Sequence, residues 1–411
     1  MNEVSIVTTD RSTTSRPRNR RLRIGLAMAR LIRTGRLRVV LPDGSVHEFE
    51  GGEPGPSATI VVRDPRMVAR LAFGGTLGLA EAYLDGWWDS PSLIDVLRLG
   101  TENEHAWAEM MSGSRWARIV SAIAHRLRPN SRPGAKRNIA AHYDLGNDFY
   151  AAWLDETMTY SAALFDGGQN NLAAGQRAKI HRLCRALDLR PGMRVLEIGC
   201  GWGSFAEIAA RDYGADVTGI TLSEAQFAHA RARIASAGLG DKVTIRLQDY
   251  RDVSERFDAI ASIEMFEAVG EAYWPVFFAK LRDSLKPEGR AALQVITIAD
   301  RYFEGYRQGA DFIQRHVFPG GMLPSPRRFS EEASRAGLAL RDKFWFGRHY
   351  AETLSRWQHG FQESWPRIAH LAPHMHGEAR FKRLWEFYLA YCEAGFAAGW
   401  TDVGQFVIEH A

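Results

Sequence analysis

The stretch from Arg194 to Phe205, RVLEIGCGWGSF, constrains the fold of this chain more than any other segment. Its apolar start predicts a buried strand, and the pattern after the stretch predicts a helix. Three glycines form the turn between them, Gly199, Gly201 and Gly203, and such a turn lets backbone N–H groups approach a ligand. We therefore expect the first crossover of a doubly wound α/β sheet, where ligands bind beyond the carboxyl ends of the strands.

The spacing of these glycines narrows the choice of ligand. G-x-G-x-G differs from the GxGxxG of dinucleotide sites, and the next predicted strand ends without an acid for the ribose of NAD. Glu197, inside the first strand, instead offers a carboxylate to a cationic ligand. The stretch resembles the nucleoside-binding motif of S-adenosylmethionine-dependent methyltransferases, although a plain tight turn remains the alternative for the glycines alone.

The alternation of apolar patterns continues along the chain and predicts a parallel sheet with helices on both faces. Predicted strands cover 194–198, 216–220, 243–247, 257–263 and 290–298, and predicted helices cover 205–213, 223–237, 273–285 and 381–398. A last strand at 405–408 is expected to return to the sheet edge. The fold class is therefore α/β, a doubly wound Rossmann-like sheet.

The length of 411 residues accommodates one large and one smaller domain. We expect a basic, disordered tail at 1–20, a small α+β domain at 21–112, a basic amphipathic helix and linker at 113–140, and the α/β domain at 141–411. The helix around Trp116 carries several arginines, so it can lie in a membrane interface or serve as a packed connector.

Composition limits the possible partners and the compartment. No apolar run reaches the roughly 18 residues of a membrane span, and three widely spaced cysteines argue against a disulfide framework or a zinc site. Basic residues cluster in 11–38 and 115–137, where they can meet anionic lipid or be solvated, and no nucleic-acid motif accompanies them. We expect a cytoplasmic protein without a metal, peripherally associated with the inner face of the membrane.

Several motifs occurring together in order resemble the cyclopropane-fatty-acyl-phospholipid synthase family. They run from about Leu77 to the C-terminus: LGLAEAYLDGWWD, HYDLGNDFY, RVLEIGCGWGSFA, GITLSEAQ, LQDYRD, MFEAVG, LKPEG, HVFPGGMLPS and YLAYCEAGF. The resemblance implies a class I methyltransferase domain behind a smaller domain, S-adenosylmethionine as cofactor, and an unsaturated acyl chain of a membrane phospholipid as substrate. A homodimer is a further expectation.

Three other functions remain alternatives. A related enzyme makes a methyl- or methylene-branched chain instead of a ring. A small-molecule N- or O-methyltransferase would favour a compact polar acceptor pocket. A non-enzymatic lipid-binding module would not need the glycine loop.

The resemblance also assigns roles to residues of the cofactor site. It implies that Tyr160 and Ser161 contact the cofactor from a lid and that the three glycines lie beneath it. The TLSxxQ segment is expected at the ribose and methionine portion, and the QDY segment at the adenine. The residues of these two segments are Thr221, Leu222, Gln226, Gln248, Asp249 and Tyr250.

A second set of matching residues implies a bicarbonate ion that serves as general base. Glu267 and Tyr350 match side chains that hold this ion, and Ile296 matches a backbone N–H donor. Two positions depart from the family pattern, because a cysteine is replaced by Ala162 and a histidine by Gln294. These departures predict retained methyl transfer with weakened bicarbonate dependence. Glu267 and the nearby Glu264 can alternatively be simple acids at a helix N-terminus.

Overall fold

The computed structural model describes residues 9–10, 17–111, 145–168, 171–373 and 377–411. The chain divides into two compact units. Among the described residues, the first unit contains those up to 111 with Gln308–Phe312 and Ala372–Ala398, and the second contains 145–307, Ile313–Leu371 and Gly399–Ala411. The predicted helix and linker at 113–140 lie outside the described residues. Of the predicted tail at 1–20, only 9–10 and 17–20 are described.

The described residues contain twelve strands and fourteen α-helices. The strands β1 to β12 are Thr9–Asp10, Thr34–Val40, Val46–Glu50, Glu53–Val62, Trp88–Asp89, Arg194–Ile198, Asp216–Thr221, Val243–Leu247, Phe257–Ile263, Leu285–Ile298, Leu338–Trp345 and Thr401–His410. The helices α1 to α14 are Arg20–Ala29, Arg66–Leu84, Leu93–Glu102, Glu104–Met111, Asn147–Ala151, Leu172–Ala186, Ser204–Tyr213, Glu224–Ser236, Trp274–Ser284, Asp300–Tyr306, Phe312–His316, Pro326–Arg335, Gly347–Ile368 and Glu378–Ala397.

The first unit is built on a five-stranded sheet in the order β1-β3-β2-β4-β5. Strands β2 and β3 form a hairpin, because they pair antiparallel around a turn in which Gly44 has φ +82°. Helix α14 belongs to this unit, where the Arg383 guanidinium donates to the Tyr83 carbonyl at 2.5 Å. The division into units thus differs from the predicted 141–411 domain, which would have included this helix.

The second unit is built on a seven-stranded sheet in the order β11-β12-β10-β9-β6-β7-β8. The five predicted strands are confirmed and are parallel to one another. The predicted edge position of the last strand is wrong, because β12 pairs antiparallel with both β10 and the unpredicted β11. Residues 403–408 are all buried, as expected for a strand with neighbours on both sides.

Apolar cores lie on both faces of this sheet. One core contains side chains of α6, α7 and α8, and the other contains side chains of α9 and α12. The predicted doubly wound arrangement is therefore confirmed. The chain leaves β6 toward β7 and β8 on one side and returns through β9 and β10 on the other. The carboxyl ends of β6 and β9 consequently form the switch point at which ligands bind in such sheets.

Candidate active site

The glycine loop, 199–203, connects β6 to α7 at this switch point. The backbone N–H groups of Gly199 and Cys200 both donate to the Ile220 carbonyl, at 3.0 and 2.9 Å, which fixes the loop against β7. Gly201 has φ +51°, and a Cβ built there would meet no protein atom within 4 Å. The loop therefore turns an open, side-chain-free backbone toward the space beyond the strands, as a bound nucleoside requires.

Two buried polar atoms beside the loop have no hydrogen-bond partner among the described residues. They are Oε2 of Glu197, which is only 3% exposed, and Oγ of Ser204. Burial raises the pKa of Glu197 well above its usual value. An unsatisfied buried acceptor is costly, and the hydroxyl and ammonium groups of S-adenosylmethionine are donors that can satisfy it. The residues at the loop thus fit this cofactor.

The TLSxxQ residues lie at the end of the neighbouring strand β7. The Thr221 hydroxyl donates to Oε1 of Gln226 at 2.9 Å, and both residues are buried. Ser223 caps α8 by accepting from the backbone N–H of Gln226 at 3.3 Å, and Leu222 between them is half-buried. The structure therefore brings this predicted set together beside the glycine loop.

The predicted adenine residues follow β8, one strand further along the same edge. The Gln248 backbone N–H donates to the Thr221 carbonyl at 3.0 Å. The carboxylate of Asp249 accepts from the Arg251 guanidinium at 2.8 and 2.6 Å. Tyr250 packs against Phe277 with ring centroids 5.4 Å apart, and burial raises its pKa to about 12. These residues lie at the expected edge, but Asp249 is paired within the protein and Tyr250 contacts the core.

Glu264 follows directly after β9 and accepts three hydrogen bonds from neutral donors. Its Oε1 accepts from the Ala162 backbone N–H at 2.9 Å and from the Gln294 amide at 2.7 Å. Its Oε2 accepts from the Tyr350 hydroxyl at 2.6 Å. Glu264 also has φ +50°, a conformation that a residue with a side chain adopts only at a cost.

The predicted lid residues Tyr160 and Ser161 precede Ala162, so this segment is tied to Glu264 by the bond from the Ala162 N–H. The Ser161 hydroxyl accepts from the Lys179 ammonium at 2.5 Å. Tyr160 is half-buried in an aromatic cluster, its ring centroid lying between 5.2 and 5.6 Å from those of its neighbours. These neighbours are Tyr150, Trp153 and Trp357.

Lys179 is completely buried, and the sequence reasoning did not single it out. Burial lowers the pKa of its ammonium group to about 8, while the charge of Glu264 acts in the opposite direction. A signal was present, because Lys179 falls on the buried stripe of α6 together with Gln176, Ile180 and Leu183. A lysine on such a stripe is seldom buried without a role.

Glu267 is bound differently from Glu264. Its Oε1 accepts from the Ile296 backbone N–H at 2.5 Å, whereas its Oε2 is buried without a partner among the residues described. Burial, with a contribution from the charge of Glu264, raises the pKa of Glu267 to about 8. Between the two glutamates lies Met265, whose Cγ would be 2.8 Å from a Cβ built on Gly199. The segment that carries the two glutamates therefore contacts the glycine loop through Met265.

The four residues expected around a bicarbonate ion are thus close together, but their hydrogen bonds are made to or by two glutamates and not to one ion. Tyr350 and Gln294 donate to Glu264, and Ile296 donates to Glu267. The donors that would hold bicarbonate are already used by a side chain of the protein, so these residues do not fit the ion in addition. Sequence reasoning considered Glu264 only as a helix-terminal acid and missed its central position.

No group of three or more histidine, cysteine, aspartate or glutamate side chains within the described residues could hold a metal ion. None of the helices in the described part of the chain combines the length and the hydropathy needed to cross a membrane.

Curated proteins of similar sequence include two well-covered relatives. The chain is 39% identical over 383 residues to tuberculostearic acid methyltransferase UfaA1 of Mycobacterium tuberculosis, covering 90% of this chain and 87% of the relative. It is 38% identical over 356 residues to the cyclopropane-fatty-acyl-phospholipid synthase of Escherichia coli K12, covering 85% and 87%.

Solved structures agree with the fold. The cyclopropane synthase MmaA2 of Mycobacterium tuberculosis matches with a TM-score of 0.61 and 32% identity, over 66% of this chain and 97% of that one. The same four values hold for the mycolic acid cyclopropane synthase CmaA1, solved with S-adenosylhomocysteine.

The cofactor and the reaction type follow from these findings. The chain is an S-adenosylmethionine-dependent methyltransferase that modifies fatty acyl chains. The family model described as mycolic acid cyclopropane synthetase matches residues 130–406, two thirds of the chain. The chain therefore belongs to the mycolic acid cyclopropane synthetase family.

Proposed function

We propose that this enzyme transfers a methyl or methylene carbon from S-adenosylmethionine to the double bond of an unsaturated acyl chain in a membrane phospholipid. The observation that carries the proposal is the position of the Glu264–Glu267 pair against the glycine loop through Met265. A carbon–carbon bond to an alkene needs an activated methyl group on one side and a proton acceptor on the other. The glycine loop supplies a site for the methyl donor, and the glutamates supply the proton acceptor.

The surroundings suit a weak nucleophile. S-adenosylmethionine supplies an electrophilic methyl group, which the π electrons of an alkene attack only when the two are held in line in a dry site. The aromatic cluster around Tyr160 offers an apolar wall, and electron-rich ring faces favour a nearby positive charge. The cluster adjoins Glu264, because the ring of Trp357 also lies 6.1 Å from that of Tyr350.

Two products are consistent with this chemistry. A ring forms when the new methyl group loses a proton and its C–H electrons bond to the cationic carbon. In the second candidate, a methyl-branched alkene forms when a neighbouring chain carbon loses the proton. A methylene-branched chain forms when a 1,2-hydride shift moves the cation to the methyl-bearing carbon before the methyl group loses a proton. The changed anchoring at Ala162 and Gln294 supports the second candidate, since these positions set where the proton acceptor lies.

Lipid mass spectrometry tests the function directly. Purified protein is incubated with methyl-labelled S-adenosylmethionine and vesicles of monounsaturated phospholipid, with fully saturated phospholipid as the control. We expect the unsaturated lipid alone to gain one labelled carbon, and proton NMR of the product then separates ring from branch. Label that enters small polar acceptors but no lipid would contradict the proposal and favour a small-molecule methyltransferase.

We also propose that the protein associates peripherally with anionic membrane. Helix α1 buries Leu22 and Leu26 and exposes arginines beside Ile24, which is 46% exposed. In the same unit, Phe73 is 74% exposed, two residues before the bend of α2 at Gly75. Exposed arginines attract anionic head groups, and exposed apolar side chains can enter the interface.

A further inference from the structure

The carboxylate of Glu264 has the hydrogen-bond partners expected for a bound anion. Three donors from three separate parts of the chain converge on it: the backbone of Ala162, the amide of Gln294 on β10 and the hydroxyl of Tyr350 on α13. Positions 162, 294 and 350 are those that the family pattern assigns to a bicarbonate ion. The donors are all neutral, and hydrogen bonds to the charged form stabilise a carboxylate without neutralising it.

A second observation is the hydrogen-bond network that holds the Gln294 amide in place. Oε1 of Gln294 accepts from the Gln405 amide on β12 at 3.1 Å, which turns the Gln294 amide nitrogen toward Glu264. Oε1 of Gln405 in turn accepts from Arg182 at 2.9 Å. Gln294 and Gln405 are at most 1% exposed. A histidine at position 294 would have no amide to orient in this way. Gln294 is therefore suited to donate to a carboxylate that the protein itself supplies.

A third observation is the strained backbone conformation of Glu264. Its φ of +50° turns the chain at the end of β9, and its own N–H donates to the Gln294 carbonyl at 2.8 Å. Glycine would adopt this conformation at no cost. Non-glycine residues held in such conformations cluster at active sites, ligand clamps and switch regions.

We infer that Glu264 takes the place of bicarbonate in this chain and is the general base of the reaction. This inference rests on the proposed function. The π pair of the alkene forms the new C–C bond, the S–CH₃ bond breaks, and sulfur keeps that pair, so the positive charge passes to the lipid carbon. Glu264 then takes one proton from the lipid cation, and the C–H pair closes the ring or forms a double bond. The products are a neutral lipid, a neutral thioether and a carboxylic acid at Glu264, which returns its proton to solvent.

Glu267 has a different part in this arrangement. Its pKa of about 8 keeps it protonated at neutral pH, and the charge of Glu264 contributes to that shift. Burial also raises the pKa of Glu264, but Lys179 and the three donors act against the rise. Glu264 accepts hydrogen bonds from three donors that favour its charged form, whereas Glu267 accepts one, from the Ile296 backbone N–H. Glu264 is the base of this pair, and Glu267 holds the Ile296 N–H as a neutral group.

The test uses Glu264→Gly, which relieves the strained φ and empties the position of the carboxylate. Binding of ¹³C-bicarbonate is measured by NMR line broadening for the full-length parent and the variant. We expect binding to the variant and none to the parent. Equal binding to both proteins would overturn the inference, and so would no binding to the variant with a retained melting transition. This arm does not depend on turnover, so it stands even if phospholipid is not the substrate.

The second arm measures product formation in carbon dioxide-free buffer with and without added bicarbonate. We expect the parent to be equally active in both buffers. Glu264→Gly should lose about 100-fold or more without bicarbonate, the usual size of a general-base contribution, and recover at least tenfold with it. A parent that needs bicarbonate, or a variant that is fully active without it, contradicts the role of Glu264. Absence of lipid product from the parent would instead refute the proposed function.

Discussion

Each compact unit contains a glutamate that is hydrogen-bonded to a tyrosine, buried in the first unit and half-buried in the second, and the two sites differ in their other partners. In the first unit, Glu386 accepts from Tyr83 at 3.2 Å and pairs with Lys382 at 2.9 Å, on the regular helix α14. In the second unit, Glu264 accepts from Tyr350 and from two further neutral groups, in a strained backbone conformation. An ion pair on a regular helix stabilises a fold, whereas a charge held by neutral donors stays available to accept a proton.

The same contrast holds for the positive charges. Arg383 in the first unit is paired with Asp89 at 2.7 Å and lies over the ring of Tyr83. Lys179 in the second unit is completely buried, with the Ser161 hydroxyl as its hydrogen-bond acceptor. The first unit therefore pairs these charges with opposite charges, and the second places a buried lysine and two glutamates with altered pKa values around one site. Substitutions of one kind should consequently have different effects in the two units.

The largest difference is expected for valine at glycines with positive φ. Gly201→Val places a strained side chain in the open space of the cofactor loop, so S-adenosylmethionine binding should weaken by at least about 100-fold, equivalent to roughly 3 kcal/mol. Gly44→Val in the first unit has the matching features, φ +82° and no atom within 4 Å of its Cβ. Calorimetric titration should show unchanged affinity for Gly44→Val. Full affinity in a folded Gly201→Val protein would refute the assignment of the loop.

The next effect concerns the two glutamates themselves. Glu264→Gln keeps the shape but removes the base, so turnover should fall about 100-fold or more while cofactor affinity is retained. Glu386→Gln should leave turnover unchanged and lower the free energy of unfolding by about 1–3 kcal/mol, because a buried charged partner is lost. Turnover assays and urea unfolding of both variants check this pair. Loss of turnover in both, or in neither, would remove the functional distinction between the two units.

Much of the α/β unit could be predicted because its local pattern and its tertiary role agree. The strands at 194–198, 243–247 and 257–263 have the predicted bounds, since short apolar runs bounded by turns are typical of buried parallel strands. The prediction that the last strand lies at the sheet edge was wrong because the residue pattern of a strand does not specify which strands pair with it. Helix α14 has nearly its predicted bounds, but its membership of the first unit depends on long-range packing.

The candidate site shows the same limit. Motif positions led to Tyr350, Gln294, Ile296 and Glu267, which the structure places together, but not to the fact that the donors meet on Glu264. That contact depends on a positive φ and on a loop, a strand and a helix converging, and neither is visible in a residue pattern. The cofactor and catalytic roles of the named residues stay predictions, which the substitutions at Gly201, Glu264 and Glu267 test.

A more gradual effect is expected from pH. Glu267 has a usual pKa of 4.5 that folding raises to about 8, so between these values the unfolded chain is ionised while the folded protein keeps its proton. Stability should therefore fall as pH rises from about 5 to about 8, by at most about 1.4 kcal/mol per pH unit, and Glu267→Gln should abolish this component. Urea unfolding of parent and variant at several pH values measures the difference.

The contribution of Asp43 in the first unit to stability is expected to have the opposite pH dependence. A hydrogen bond from the Ser45 hydroxyl lowers the pKa of Asp43 below 3.8, so its contribution is present above that value and is lost as pH falls further. The difference between the parent and Asp43→Asn should thus be flat between pH 5 and pH 8. A flat difference for Glu267→Gln over the same interval would contradict the raised pKa of Glu267.

The smallest effect is expected at the membrane surface and again separates the units. Arg20 and Arg23 are exposed on α1, and each basic residue near an anionic surface contributes about 1 kcal/mol at low salt. Replacing both by glutamine should weaken association with anionic vesicles about 30-fold, and the difference should shrink at high salt because the charges are screened. Arg231→Gln with Lys242→Gln removes the same charge from exposed positions of the second unit and should change binding less. Equal weakening by both pairs would mean that net charge, and not the surface of α1, determines the attraction to the membrane.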